Sequence, residues 1–156
     1  FMRHVYLSAA ESKDPRTHIG AVLVKEDNIV STGFNGFPRK VVDYEDRYNT
    51  REQKYKFIVH GEHNCILAAA RHGVSTLGSR LYTNGFPCCD CMKAIIQAGI
   101  SEVVIHKQWP ELNHVPKWIE SVEISKTMAI EAKLNVKVWD GELGMYGFLD
   151  GKVVEV

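Results

Sequence analysis

Two short segments, His60-Gly61-Glu62 and Pro87-Cys88-Cys89-Asp90-Cys91, constrain this chain more than any other feature. Each opens a pattern typical of a helix. The two outer cysteines of the second segment are three residues apart, so they share one face of a helical turn. The proline before them suits a first turn, because its missing N–H costs no hydrogen bond there. One imidazole and two thiols are the ligands of a zinc site with one open position. We take His60, Cys88 and Cys91 as the metal ligands.

Glu62 lies two residues past the histidine and is the predicted proton shuttle. Two thiolates neutralise the charge of the metal, so the zinc should acidify its water less than it would with three imidazoles. A carboxylate beside that water can take the proton and pass it to a substrate. The alternative is a closed structural site with His63 as the fourth ligand, which leaves no room for water. That alternative gives Glu62 no role.

The composition is that of one intracellular domain. The chain has 156 residues, which we assign to a single domain, 1–156, with a core over 2–139 and a tail over 140–156. Basic and acidic residues both total 19, which argues against a broad surface for polyanions. Four cysteines, two of them in a C-x-x-C, indicate metal ligands rather than disulfides. No apolar run is long enough to cross a membrane and no signal-peptide pattern occurs, so we expect a cytoplasmic protein of bacterial or phage origin.

The periodicity predicts an α/β domain with helices on both faces of a sheet. Apolar residues at helical or strand spacing give the order α-β-β-α-β-α-β-α-β. The predicted helices are 2–12, 61–72, 88–98 and 116–132, and the predicted strands are 19–25, 29–34, 80–84, 102–106 and 135–139. Residues 39–57 show no clear period and are predicted to form a long functional or mobile loop. Residues 145–149 and 152–156, joined by Asp150-Gly151, predict a hairpin that either extends the sheet edge or packs on another subunit.

Three further segments carry a resemblance to a known family. They are Ser12-Lys13-Asp14-Pro15 followed by residues 19–24, the turn at residues 33–38 (GFNGFP), and residues 81–87 (LYTNGFP) running into 94–100. Together with the H-x-E and P-C-x-x-C motifs, which are the known signature of zinc nucleobase deaminases, they make the chain resemble the deoxycytidylate (dCMP) deaminase family of the cytidine deaminase superfamily. The resemblance covers about residues 2–139.

The resemblance implies a three-layer α/β/α sandwich of the cytidine deaminase type, with a mixed five-stranded sheet and here a C-terminal β-hairpin extension. It implies one catalytic Zn²⁺, whose water attacks C4 of the cytosine of dCMP to give dUMP and ammonia. By motif, Asn35 contacts the nucleotide and Gly61 offers a backbone contact to the pyrimidine. Phe86, next to the proline of the zinc motif, is our candidate to lie against the base.

Regulation and assembly also enter through the resemblance. Family members are often homohexamers, activated by dCTP and inhibited by dTTP, with Mg²⁺, at a site near the first hairpin. Gly33, Phe34, Asn35 and Gly36 are the corresponding residues. The family usually has alanine at position 61, so the glycine suggests room for a 5-substituted cytosine such as 5-methyl- or 5-hydroxymethyl-dCMP. A tyrosine that contacts phosphate in some members is absent from residues 107–110.

Other functions remain open on the sequence. They are a deaminase of tRNA or single-stranded nucleic acid, which the neutral charge disfavours, a free-nucleoside deaminase, and a non-catalytic zinc-stapled nucleotide-binding module. Neither a membrane nor a nucleic-acid partner is expected. Several residues receive structural interpretations: Cys65 in the core, Cys89 packed or idle, Trp109 and Trp118 in packing, His114 and His18 as surface or satisfied polar residues, and Lys13 and Arg16 in a solvated cluster. The alternative for His18 is an approach to the nucleotide.

Overall fold

A mixed five-stranded sheet forms the centre of the computed structural model, which describes residues 1–107 and 116–156. Its strands are β1 (Gly20–Lys25), β2 (Asn28–Phe34), β3 (Arg80–Thr83), β4 (Glu102–His106) and β5 (Asn135–Trp139). Their order in the sheet is β2-β1-β3-β4-β5. Strand β1 is antiparallel to both neighbours, whereas β3, β4 and β5 are parallel. The predicted mixed sheet is confirmed, with strand boundaries within one residue of those predicted.

Helices cover both faces of this sheet. They are α1 (Met2–Ala9), α2 (Asp46–Asn49), α3 (Arg51–Phe57), α4 (Gly61–Arg71), α5 (Cys89–Gln97) and α6 (Pro116–Glu131). Ala21 and Leu23 of β1 pack with buried residues of α4, α5 and α6, while Val22 and Val24 pack with α1 on the opposite face. Alternate residues of a strand point to opposite faces, so the continuous apolar run of β1 follows from its burial on both sides. The predicted three-layer sandwich is confirmed.

Gly33 lets helix α4 lie directly on strand β2. A Cβ atom at this position would be 2.3 Å from the backbone nitrogen of Cys65 and 2.5 Å from the carbonyl oxygen of Gly61. No side chain fits in that space. The close approach fixes the first turn of α4, which carries Glu62, against the sheet.

The segment 39–57 is not the structureless loop that the sequence predicted, because it contains α2 and α3. Their side chains are mostly charged, so no apolar stripe marks them. Tertiary packing stabilises them instead: the ring of Phe37 stacks on Tyr48 with centroids 4.4 Å apart and contacts Phe57 at 5.7 Å. The Lys54 side chain is buried.

The C-terminal hairpin is present as strands β6 (Tyr146–Leu149) and β7 (Lys152–Glu155) in a separate two-stranded sheet. Asp150 and Gly151 have φ angles of 48° and 79°, as the type I′ turn requires. The hairpin does not extend the edge of the main sheet. Its buried Leu149 and the terminal Val156 pack with α1 on one face of the sheet, because that face would otherwise expose apolar side chains.

None of the helices in the described ranges combines the length and the apolar character needed to cross a bilayer.

Candidate active site

Two helix N-termini bring the three predicted metal ligands together. His60 is the residue before α4 and Cys88 is the residue before α5, both with extended backbone, while Cys91 lies in the first turn of α5. The His60 Nδ1 is 3.3 Å from the Cys88 Sγ and 3.5 Å from the Cys91 Sγ. The three ligand atoms lie within 4.8 Å of one another. One nitrogen and two sulfurs at this spacing fit a zinc ion.

The electrostatics of the cysteine pair also suit a cation. The hydrogen bond between the two thiols, together with His60, lowers the pKa of Cys88 well below its usual range. The same bond, burial and the charge of Glu62 raise the pKa of Cys91. Burial lowers the pKa of His60, but its hydrogen bond with Cys88 and the charge of Glu62 outweigh that effect and raise it. Negative charge is thus already favoured on one sulfur, and a divalent cation would favour it on both.

Glu62 lies in the first turn of α4 and its side chain is buried, with 4% exposed. Its Oε2 accepts a hydrogen bond from the Cys91 thiol over 3.6 Å. Burial raises the pKa of the Glu62 carboxyl, although the charge of His60 acts in the opposite direction. The carboxyl therefore lies beside the ligand cluster without belonging to it, where a proton acceptor for a water molecule is needed.

His63, the fourth ligand of the closed alternative, lies near the cluster but outside it. Its Nδ1 is 3.7 Å from the Cys91 Sγ. In the described part of the chain, the compact ligand set contains only His60, Cys88 and Cys91. A set of three leaves one zinc position open.

A cavity of about 650 Å³ opens onto this centre. His60, Glu62 and Cys88 line it, and so do Asn35 and Phe86, which were predicted to contact the substrate. Cys91 does not line it and is fully buried. Gly61 is not among the residues that line the cavity, and neither are Gly33, Phe34 and Gly36 of the predicted allosteric turn.

The amide of Asn35 is already engaged with protein groups. Its Oδ1 accepts the N–H of Ile19 at 2.8 Å, and its Nδ2 donates to the carbonyl of Thr17 at 2.8 Å and to Asp14 Oδ2 at 3.4 Å. In this arrangement Asn35 shapes the cavity wall by holding residues 14–19. Its contact with a nucleotide stays a prediction.

Gly61 does not leave an open space beside the metal centre. A Cβ atom there would be 2.8 Å from the carbonyl oxygen of Ile19, which itself lines the cavity. The volume that a methyl group would fill is therefore occupied by Ile19. The glycine permits a close approach of two backbones.

Sequence reasoning missed one whole wall of the cavity. Arg51, Lys54, Tyr55 and Ile58 of the α3 segment all line it. These positions follow the i, i+3, i+4, i+7 spacing of one helix face. The sequence contains this spacing, but three of its four positions are charged or aromatic, so no apolar stripe marks the helix.

Trp118 and the tail also contribute to the cavity, contrary to the expectation that Trp118 only packs. Its ring lies 5.8 Å from that of His60 and 6.1 Å from that of Tyr55. Leu149 and Asp150 of the hairpin line another wall of the cavity. The backbone N–H of Gly151 donates to the Arg16 carbonyl at 2.7 Å, which fastens the hairpin turn to that wall.

The remaining sequence interpretations have mixed outcomes. Cys65 is fully buried as predicted, and burial raises its pKa to about 12. Cys89 is half-buried, with its backbone N–H bonded to the Ser121 hydroxyl. Arg16 is not merely solvated, because it lines the cavity; Lys13 pairs with Asp43 at 2.8 Å. His18 does not line the cavity, and its ring packs on Phe148. The interpretations of Trp109, His114 and the absent tyrosine at 107–110 concern positions that are wholly or mostly outside the described residues.

Comparisons with known proteins agree with this geometry. A family model described as the cytidine and deoxycytidylate deaminase zinc-binding region matches residues 1–107. The "uncharacterized deaminase in luxG 3'region" of Aliivibrio fischeri is 38% identical over 136 residues, which cover 87% of this chain and 88% of that protein. Human deoxycytidylate deaminase is 38% identical over 110 residues, covering 67% of this chain and 61% of the human enzyme. The chain thus spans less than two thirds of the human protein.

A solved structure gives the same result. The crystal structure of dCMP deaminase from the cyanophage S-TIM5, in complex with dCMP and dUMP, matches with a TM-score of 0.68 and 25% identity. The match covers 88% of this chain and 93% of the phage protein. The chain belongs to the cytidine and deoxycytidylate deaminase family, and its relatives place it with the dCMP deaminases of that superfamily. The predicted class of enzyme, a zinc-dependent deaminase, is thereby confirmed.

Proposed function

We propose that this chain hydrolyses dCMP to dUMP and ammonia. The observation that carries the proposal is the cluster of His60, Cys88 and Cys91 with the buried Glu62 beside it, at a cavity that His60, Glu62 and Cys88 line. An open three-ligand centre next to a carboxylate is the arrangement that hydrolytic deamination requires. The dCMP and dUMP complex of the cyanophage relative supports the choice of substrate.

Different residues of the chain have separate roles in the proposed reaction. His60, Cys88 and Cys91 would hold the zinc, which when bound supplies a Lewis acid that makes water acidic enough to lose a proton near neutral pH. Glu62 accepts a proton from the water whose oxygen adds to C4 of the cytosine. The same carboxyl then delivers a proton to the departing amino nitrogen, so that water and dCMP become dUMP and ammonia. Phe86, which lines the cavity, orients the base. The backbone contact at Gly61 stays a prediction, because that residue does not line the cavity.

Cationic side chains at the cavity support a phosphorylated substrate. Besides Lys54, which is paired with Asp14, the residues Arg16, Arg51 and Lys126 line it. The Arg16 Nη1 is 3.6 Å from Asp150, and both side chains are largely exposed. Such weak surface pairs exchange readily for a phosphate, which guanidinium groups bind in a bidentate manner. We infer that these cations take the role of the phosphate-binding tyrosine, which is absent from residues 107–110.

An ammonia-release panel tests the proposal against its alternatives. The zinc-loaded protein is assayed with dCMP, dCTP, deoxycytidine and an RNA hairpin. We expect dCMP to have the highest kcat/KM. Preference for deoxycytidine would indicate a nucleoside deaminase, and preference for the hairpin a nucleic-acid deaminase. Absence of ammonia from every substrate, with zinc retained, would indicate the non-catalytic binding module.

Acceptance of 5-substituted dCMP is a finer part of the proposal. Gly61→Ala must displace Ile19, because the new methyl would lie 2.8 Å from its carbonyl oxygen. We therefore expect the variant to lose turnover of 5-methyl-dCMP more than turnover of dCMP. An unchanged ratio of the two rates, with zinc content equal to that of the wild type, would reject the idea.

Assembly, regulation and location rest on the resemblance alone. We propose a cytoplasmic homo-oligomer, with a hexamer favoured, activated by dCTP and inhibited by dTTP in the presence of Mg²⁺. Light scattering gives the subunit number directly. A dCMP saturation curve that is hyperbolic and moved by neither nucleotide would reject the regulated hexamer.

A further inference from the structure

Asp14 and Lys54 form an ion pair that is almost completely buried beside the cavity. The Lys54 Nζ is 2.9 Å from Oδ2 and 3.2 Å from Oδ1 of Asp14, and the two side chains are 9% and 2% exposed. In every other ion pair of residues 1–107 and 116–156, at least one side chain is about half exposed or more. Burying two charges costs free energy, and removing one partner strands the other. A pair kept under those conditions needs an explanation.

The Asp14 carboxylate organises the wall formed by residues 14–19. Its Oδ1 accepts the N–H groups of Arg16 at 2.8 Å and Thr17 at 3.4 Å. Its Oδ2 accepts the Asn35 amide at 3.4 Å, and Asn35 in turn accepts the N–H of Ile19. The next contact along this path is that of the Ile19 carbonyl with Gly61, between the metal ligand His60 and Glu62.

Lys54 connects the same carboxylate to a second wall of the cavity, formed by helix α3. It belongs to α3, whose Arg51 and Tyr55 line the cavity. Two residues after this helix, Val59 exchanges two backbone hydrogen bonds with Gly36, at 2.8 and 3.0 Å. His60 follows immediately. Both partners of the ion pair are therefore connected to the metal centre through short, hydrogen-bonded segments.

We propose that Asp14 and Lys54 are positioning residues that hold the two cavity walls in register with the His60–Glu62 segment. The inference rests on the proposed deaminase function and adds to it a pair that acts through other residues. The competing interpretation is that Lys54, which also lines the cavity, binds the substrate phosphate directly. The two differ in what they predict for a substrate without a phosphate.

Replacing Lys54 by methionine keeps most of the length of the side chain and removes its charge. If the pair positions the centre, kcat for dCMP falls about 100-fold, the loss typical of a reacting group displaced by about 1 Å. KM changes little, zinc stoichiometry is retained, and kcat/KM for deoxycytidine falls by the same factor as for dCMP. A direct phosphate ligand would instead raise KM for dCMP and leave deoxycytidine unaffected; that result overturns the proposal.

Two companion variants sharpen the comparison. Lys54→Arg keeps the charge and should recover part of the lost kcat. Lys56→Met is the matched control: it removes a lysine from the same helix whose partner, Glu52, lies 3.2 Å away at the exposed surface. We expect wild-type kinetics from this control. A loss equal to that of Lys54→Met would contradict a specific role for the buried pair.

Amide hydrogen exchange separates this inference from the proposed function. Lys54→Met should speed exchange at the N–H groups of Arg16, Thr17 and Ile19, which depend on Asp14 and Asn35. Amide exchange can be measured even if the wild type fails to deaminate dCMP. In that case the proposed function is rejected, but the positioning role of the ion pair is still tested. If Lys54→Met does not fold, the neutral double variant Asp14→Asn/Lys54→Met, which strands no charge, takes its place. Wild-type exchange in the folded variant overturns the proposal.

Discussion

Gly33 provides a test of how the fold positions the site. In Gly33→Ala the new Cβ would lie 2.3 Å from the Cys65 nitrogen and 2.5 Å from the Gly61 carbonyl oxygen, whereas ordinary contacts begin near 3.4 Å. Both atoms belong to the backbone of α4, so no side chain can rotate away. The helix must move from the sheet by roughly 1 Å, because close-packed interiors have no void to absorb a methyl group.

The expected cost follows from that displacement. Overpacking a core typically costs 1–3 kcal/mol, and a backbone collision belongs at the upper end, so we expect a loss of about 3 kcal/mol in the free energy of unfolding. For a domain of this size that corresponds to a fall in Tm of about 6–12 °C. Because α4 carries Glu62, kcat should also fall, by about 100-fold.

Thermal unfolding followed by near-UV circular dichroism, with dCMP turnover measured below the transition, checks both effects. Gly36→Ala is the matched control in the same turn, since a Cβ there would meet only the Phe34 ring at 3.8 Å. We expect this control to stay within about 0.5 kcal/mol of the wild type. Equal stabilities for the two variants would refute the packing argument. A changed response to dCTP without loss of stability would instead favour the predicted allosteric role of Gly33.

Three further predictions concern the metal set, the tail and pH. Cys91→Ala should lose its bound zinc, whereas His63→Ala should retain one ion per chain, as measured by atomic absorption. Loss of zinc from both variants would favour the closed site with His63 as the fourth ligand. Leu143→Ala should lower the free energy of unfolding, measured by urea denaturation, by about 2–4 kcal/mol, because this tail side chain is only 6% exposed. Val153, which is 68% exposed, is the control and should tolerate alanine. Burial lowers the pKa of His106 below 6.5, so the unfolded chain binds the proton first as the pH falls. The free energy of unfolding should therefore decrease below pH 6.5, by at most about 1.4 kcal/mol per pH unit. If His106→Gln shows the same slope of stability against pH, this residue is excluded as the cause.

The zinc centre was predictable because its chemistry constrains residue type and spacing together. Three ligands can meet between two helix N-termini when one helix is preceded by a histidine and the other begins with two cysteines. The strands and the hairpin turn were equally predictable from the sequence. The buried run of β1 and the Asp150-Gly151 turn each have a local cause that acts within a few residues.

The missed features depend on contacts between distant segments. Helix α3 has no apolar stripe, because its inward face carries Arg51, Lys54 and Tyr55 towards a polar cavity. The need for a lysine at position 54 becomes visible only when Asp14, forty residues away, lies against it. Likewise, no local pattern in the tail predicts that the Asp150 N–H will bond to Thr17, in the loop before the first strand.

The central claim is that Glu62 moves the proton while His60, Cys88 and Cys91 hold the metal. Glu62→Gln replaces the carboxylate by an amide of nearly the same shape, so zinc binding should survive and proton transfer should not. Zinc content and dCMP turnover measured on the same preparation test this directly. We predict one zinc per chain and a loss of at least about 100-fold in kcat. A variant that keeps its zinc and deaminates dCMP at the wild-type rate would contradict the account.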